Sequence, residues 1–265
     1  MGENRARVFF GKEVRRMREA AGLTGKQLAD ALGCTPQWIS TIESGRKVSE
    51  QSALDLDTYF RAGGHFHRLW KLAIDVELQT VLPPGFAEYV ERESKASTIR
   101  IYSPLVISGL FQTESYAETV IGTISNESTS ELVSKRMERQ AILTRVNPPR
   151  VWLTLDETAL RRRVGSTETM REQFAYLIEA SERPNIMLNV IPESVGYHAG
   201  LEGTLTLLSF AEGPDVAYVE TTGEGLLIEQ PTAVKDKVVR WDLLRGHVLP
   251  AGESRAMIRT LLENL

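Results

Sequence analysis

In the stretch TPQWISTIESGRK, residues 35–47, a carboxamide and several hydroxyls share a few residues and are followed by two cations. Gln37, Ser40 and Thr41 fall on the side of a short helix away from Ile39 and Ile42. A glutamine carboxamide pairs bidentately with the edge of an adenine, and hydroxyls reach bases or phosphates. Arg46 and Lys47, just past the helix, are placed to neutralise phosphates. Lys26 opens the preceding helix, where backbone N–H groups and the helix dipole also favour a phosphate. With Gln27, Thr35, Pro36 and Trp38 these residues form the candidate DNA-contact set. Two readings of Trp38 stand side by side: a large aromatic supplying buried area, which is the commoner use, and a contact to a thymine methyl or the DNA backbone.

Catalytic chemistry finds no comparable set. His65 and His67 are two apart, a poor helical spacing for ligating one metal, and read as exposed polar residues at a helix start. Asp156 and Glu157 form an acid pair, but Asp156 is better read as the N-cap of ETALRRRV. His198 lies beside Tyr197 in GYHAGLEG, a Gly-rich turn between strands that is able to line a ligand pocket. His247 sits near a helix end, where an imidazolium complements the dipole. Arg136 and Arg139 share a helix with Glu138; they read either as exposed ion pairs or as a grip on an acidic partner. No enzyme, cofactor or metal is expected.

The elements that position these groups follow from periodicity. Phe10, Val14, Met17 and Ala21 recur at helical spacing within residues 8–21, and Gly22 suits the position after the helix end. Thr24 and Gln27 have capping-box spacing for the next helix, GKQLADAL, which Gly33 closes. Thr35 is then an N-cap, with Pro36 at the first helical position where its missing N–H costs nothing. A fourth helix runs over 50–60 with Ala53, Leu54, Leu56 and Tyr59 apolar. A fifth carries Phe66, Leu69, Trp70, Ala73 and Ile74. Two helices joined by a tight Gly-containing turn, the second of them short, are the helix-turn-helix pattern.

VLPPGF then breaks the helical run and sets a boundary near Thr80. A helix is expected over 86–96. After it the strands TIRIY, RVWLTL, IMLNVI, TLTLLSF and VAYVET alternate with helical stretches beginning at 113, 130, 157, 167, 232 and 252. SNESTS, 125–130, reads as an exposed loop. Met257, Leu261 and Leu262 share one face of the last helix, fit for docking to the body or to a second copy. The expected fold class is an all-α helix-turn-helix N-terminal domain (1–79) plus an α+β C-terminal domain (80–265).

The bulk numbers agree with two domains: the chain has 265 residues and a net charge of −4. The charge is uneven. Between Arg5 and Lys47 nine Lys or Arg face four acids, Glu13, Glu19, Asp30 and Glu43, so the remainder carries −9. A basic head on an acidic body is the asymmetry expected when one domain meets phosphate. No apolar run reaches the about 18 residues of a membrane span, and MGENRARVFF lacks the core of a signal peptide. Gly2 is followed by Ala6 rather than the Ser or Thr of a myristoylation motif. A lone cysteine, Cys34, makes no internal disulfide and fits the cytoplasm.

LTGKQLADALGCTPQWISTIESGRK resembles the Xre/lambda-repressor type of helix-turn-helix. The family pattern is met by Leu23-Thr24, Leu28-Ala29, Gly33, Ile39-Ser40 and Ile42-Glu43-Ser44-Gly45. The resemblance implies an arginine of the first helix paired with the glutamate ending the third, here Arg18 and Glu43, as a structural clamp. Gly25 departs from the glutamine many members carry there, which passes phosphate contact to Lys26 or to backbone amides. The rest of the chain resembles the actinobacterial WhiJ-like regulators through PLVISGLFQTESYAE, RMERQAIL, LDETALRRRVGS, VIPESVGYHAGLEGTLTLLSF and VAYVET. Ser108 and Phe111 stand where that group carries proline and leucine. This second resemblance implies a transcriptional regulator, a repressor, with 80–265 as its sensing, partner-binding and dimerisation domain. One short recognition helix contacts too few base pairs, so a homodimer on a palindromic double-stranded operator is expected. The resemblance also implies a small acidic partner protein encoded nearby. The alternative it leaves open is an antitoxin-like protein that sequesters such a partner and regulates its own operon.

Overall fold

The computed structural model describes residues 5–81, 85–123, 129–221 and 224–265. The chain divides into two compact units, Met1–Val81 and Leu82–Leu265. Leu82, Pro83 and Pro84 of the expected boundary, and residues 125–128 of the expected serine-rich loop, lie outside the described residues.

Among the described residues the first unit is five helices: α1 (Arg5–Ala20), α2 (Gly25–Leu32), α3 (Pro36–Glu43), α4 (Glu50–Phe60) and α5 (His65–Val81). The starts of α2, α3 and α5 are each fixed by a capping device. Thr24 accepts the Gln27 N–H at 3.2 Å while the Gln27 carboxamide accepts the Thr24 N–H at 2.8 Å, closing the capping box. Thr35 accepts the Trp38 N–H at 3.2 Å, with Pro36 at the first helical position. The Asp57 carboxylate, from α4, accepts the N–H groups of Phe66 and His67 at 2.9 and 2.8 Å, capping α5 with a negative charge where its dipole favours one. The core joins Phe10, Val14, Leu28, Ile39, Ile42, Leu56 and Phe66. Each large apolar side chain buried there is worth roughly 1.5–3 kcal/mol against leaving it in water. Ala21 departs from expectation: the helix ends at Ala20, Gly22 turns the chain at φ 66°, and Ala21 is exposed. Leu54 and Tyr59 are likewise more than a third exposed, because the narrow buried stripe of α4 is filled by Ala53 and Leu56.

Gly11 explains how α1 and α3 approach. A Cβ at this position would lie 2.5 Å from the Ile42 carbonyl oxygen and 2.9 Å from that of Glu43. Both are backbone atoms and neither can rotate away. Gly11→Ala should therefore destabilise the unit by about 1–3 kcal/mol through overpacking, although alanine favours an isolated helix by about 1 kcal/mol. Thermal unfolding checks this, and an unchanged or raised midpoint would show that the helices separate freely.

The second unit opens with α6 (Phe86–Lys95) and strand β1 (Thr98–Ser103). Helices α7 (Glu114–Gly122) and α8 (Thr129–Arg139) follow, then β2 (Arg150–Asp156), α9 (Glu157–Arg161), α10 (Thr167–Ala180) and β3 (Ile186–Ile191). Next come β4 (Leu205–Ser209), β5 (Val216–Thr221) and β6 (Glu224–Ile228), and the chain closes with α11 (Pro231–Arg245) and α12 (Ala251–Glu263). The six strands form one sheet in the order β3-β2-β1-β4-β5-β6. β1, β2 and β3 are parallel, whereas β4, β5 and β6 continue antiparallel from the other side of β1. Alternation along each strand divides the residues between two cores. Ile99, Ile101, Leu153, Leu188 and Leu208 join the larger one with Phe174, Leu177 and Ile258. Tyr102, Leu205, Leu207 and Ala217 face the other way, against Val234, Trp241 and Leu244 of α11. The unit is an α+β domain.

Strand β6 is absent from the sequence expectation. Its residues EGLLI are few, and Gly225 lowers their strand propensity. The glycine is required, since a Cβ there would overlap the Tyr218 hydroxyl on the neighbouring strand. Met257, Leu261 and Leu262 of α12 pack against the larger core, so that face docks onto its own unit.

Candidate nucleic-acid interface

Helix α3 is held from behind. Ile39 and Ile42 are fully buried, and Trp38 is partly buried against the same core, in keeping with its structural reading. Arg18 reaches from α1 to the last residue of α3, its Nε and Nη2 donating to the two Glu43 carboxylate oxygens at 2.6 and 3.0 Å. Its Nη1 donates to the Leu23 carbonyl at 2.8 Å. One guanidinium thus ties α1, the turn before α2 and the end of α3, with both charged side chains 13% exposed. Fork-to-fork pairing of this kind fixes orientation as well as adding energy.

The opposite face is open. Thr35, Pro36, Gln37 and Ser40 are exposed and Thr41 is half-buried. Thr41 donates its hydroxyl to the Gln37 carbonyl at 2.8 Å, leaving its oxygen as an acceptor. Lys26 and Gln27 are exposed at the start of α2. The Gln27 carbonyl oxygen is engaged by Thr24, and its NH2 group is what remains for a phosphate.

Past α3, Gly45 turns the chain at φ 81° and packs against the backbone of Val8 in the first turns of α1; a Cβ on Gly45 would meet the Val8 Cα at 3.0 Å. This brings a third cation to the pair named from the sequence: Arg7, Arg46 and Lys47 line one depression floored by Phe10 and Trp70. Arg7 escaped the sequence reading, yet a signal was present. α1 begins with Arg5 and Arg7 and has no acid in its first turn. Cations at a helix N-terminus do not complement its dipole, so the pair stands out in the sequence.

The candidates in the second unit are placed differently from expectation. Arg139 is not an exposed ion-pair partner: its Nε and Nη2 donate to Glu93 at 2.5 and 3.0 Å, and Glu93 is 1% exposed. Tyr89 donates its hydroxyl to the same carboxylate, and the guanidinium lies 5.2 and 5.4 Å from the ring centres of Phe86 and Tyr89. Burial pulls the Arg139 pKa down, but Glu93 and Tyr89 outweigh it and leave it raised. Arg136 donates to the side-chain amide oxygen (Oε1) of Gln112 at 2.6 Å, and burial pulls its pKa down to about 10. Gln112 is itself buried and donates to the Ile107 carbonyl at 2.7 Å, so Arg136 braces the loop after β1. Both arginines hold the interior because their partners come from α6 and from that loop, far away in sequence.

His198 is buried as well. Its Nδ1 accepts the Gly200 N–H at 3.2 Å, which puts the proton on Nε2, 3.1 Å from the Asp156 carboxylate. Asp156 also accepts the Thr158 N–H at 2.9 Å as the N-cap of α9. Both ring nitrogens are therefore engaged inside the fold, in place of the pocket-lining role expected from the turn. Tyr197 next to it is 81% exposed. His65 and His67 sit 3.1 and 2.8 Å from Glu13 and Glu50, respectively.

A short outward helix clamped to two others, with a capped helix before it and cations after it, defines a helix-turn-helix DNA-binding protein. The comparisons agree: a helix-turn-helix domain family matches residues 10–70. A second family, the domain of unknown function DUF5753, matches residues 86–260, and the chain belongs to it. No curated protein and no solved structure matches the chain. Among the described residues no helix is long and apolar enough to cross a membrane.

Proposed function

We propose that this chain is a sequence-specific transcriptional regulator of the Xre type, acting as a cytoplasmic repressor. The observation that carries this reading is the outward face of α3, with Gln37 and Ser40 exposed on a helix whose inner face and C-terminal glutamate are both locked. Gln37, Ser40 and Thr41 read base edges, Lys26 and Gln27 meet a phosphate at the start of α2, and Arg46 and Lys47 clamp phosphates beyond α3. One short helix contacts too few base pairs for a genomic site. The regulator therefore acts as a homodimer on a palindromic operator whose half-sites lie about 34 Å apart. The second unit is its sensing and dimerisation domain, answering to a small acidic partner protein or a ligand, with exposed Tyr197 available for contact.

Mapping of bound genomic sites, with and without the neighbouring gene, tests the regulator and its control together. A sharper check is the salt dependence of operator binding. Each neutralised phosphate contributes roughly 0.9 to the slope of log K against log salt concentration. Replacing Arg46 and Lys47 with alanine should flatten that slope by about one unit per lost contact and weaken all duplexes evenly. An unchanged slope removes both from the phosphate contacts.

A further inference from the structure

Helix α11 is apolar on two sides. Val234, Trp241 and Leu244 are buried against the sheet, and Val238 packs beside them. At 3.6 residues per turn the opposite side carries Lys235, Asp236, Val239, Asp242 and Leu243, all of them exposed. Val239 and Leu243, one turn apart, are 52% and 58% exposed. A helix on the surface of one unit needs a single apolar stripe, and this is a second. Leu201, also exposed, stands beside it in a loop fastened along the helix. On one side of Leu201, a Cβ on Gly200 would lie 2.7 Å from the Leu244 side chain; on the other, Glu202 pairs with Arg240 at 2.6 Å.

The charges around Val239 say what covers the stripe. Lys235 and Asp242 lie two turns apart on one flank, and Asp236 and Arg240 lie one turn apart on the other. Among the described residues Lys235, Asp236 and Asp242 enter no ion pair. A face-to-face pair of helices related by a two-fold axis sets each flank against its own copy, with the order reversed. Lys235 stands about 6 Å before Val239 along the axis, and Asp242 about 4.5 Å after it. A two-fold axis at Val239 therefore brings Lys235 level with Asp242 of the second copy to within about 1.5 Å. Asp236 comes level with Arg240 of the second copy to within about 3 Å, which the arginine side chain spans. The helix runs from Pro231 to Arg245, so Val239 is one residue from its midpoint and the two helices overlap along their whole length. The positive end of each then lies beside the negative end of the other.

We propose that the outer face of α11 is the surface through which two copies of this chain associate, α11 packing antiparallel on α11 about a two-fold axis at Val239. Val239 meets its own counterpart, and Leu243 and Leu201 extend the apolar contact to either side. The pairs Lys235–Asp242 and Asp236–Arg240, each made twice by symmetry, set the direction and register, as charges flanking an apolar seam do. The proposal rests on the homodimer reading above and names the surface that reading requires.

The test is sedimentation velocity of the full chain over a dilution series, which yields the dissociation constant of the dimer. Val239→Glu sets two carboxylates against each other at the axis and should raise that constant at least about a hundredfold. Asp242→Lys places a lysine opposite Lys235 at two symmetry-related positions and should also raise it about a hundredfold, tenfold for each. Adding Lys235→Asp to Asp242→Lys exchanges the charges and should return the constant to within about threefold of the parent. These positions are exposed, so the near-ultraviolet circular dichroism of the variants should match the parent. A parent dimer that Val239→Glu leaves intact overturns the proposal and keeps the homodimer. A charge exchange that fails to recover the loss in Asp242→Lys overturns it too, since the two residues then do not meet. A parent chain that is monomeric throughout removes the homodimer and this surface together.

Discussion

Arg139→Ala should cost the second unit about 3–5 kcal/mol, the usual penalty when one partner of a buried ion pair is removed. Most of that loss is the charge left behind. Glu93 is 1% exposed, and both its oxygens are engaged by the guanidinium. Without Arg139 it retains the Tyr89 hydroxyl, one hydrogen bond against a full negative charge in the interior. The measurement is denaturant unfolding of the full chain, in which the transition of the second unit should move while that of the five-helix unit holds. Glu93→Gln combined with Arg139→Met should recover most of the loss, because replacing a buried pair by neutral groups of similar volume is often close to neutral. A change below about 1 kcal/mol in Arg139→Ala would place the pair with solvated surface bridges instead.

The second large effect is on recognition. Gln37→Ala together with Thr41→Ala should relax the choice of operator, each lost base contact being worth about 1–3 kcal/mol of discrimination. Competition between operator and scrambled duplex in a mobility-shift assay reads this directly. Folding should be preserved, since Gln37 is exposed and the inner anchors Ile39 and Ile42 are untouched. If the ratio of affinities stays where it was, α3 is not the reading helix. The contrast with the Arg46 and Lys47 replacements is informative: those should lower affinity for every duplex and leave the ratio alone.

What the sequence disclosed and what it hid divide along one physical line. The starts of α2 and α3 were legible because Thr24 with Gln27, and Thr35 with Pro36, act over three or four residues. The inward set Leu28, Ile39 and Ile42 was legible because helical period and burial agree. Arg139 was misread because its partner Glu93 lies 46 residues away, and nothing within α8 distinguishes a buried arginine from a solvated one. Gln112 and Arg136 were hidden in the same way, by a separation of 24 residues. His198 looked like a ligand-facing residue because its neighbours are glycines, yet the fold brings Asp156 to its Nε2 from the end of β2. Strand β6 was lost to a glycine that only the Tyr218 hydroxyl, on another strand, makes necessary.

The strand order has a consequence for how the sheet is made. β1 is the first strand to leave the ribosome and ends up in the middle, flanked by β2 and β4. β2 and then β3 extend the sheet on one side, and β4, β5 and β6 extend it on the other. Every strand therefore joins an edge that already exists, and none has to wedge between two that are paired. Synthesis delivers residues at about 5–20 per second, slowly enough for each addition to settle before the next strand emerges. The topology thus leaves open a sheet that grows in the order of translation, outward from its own first line.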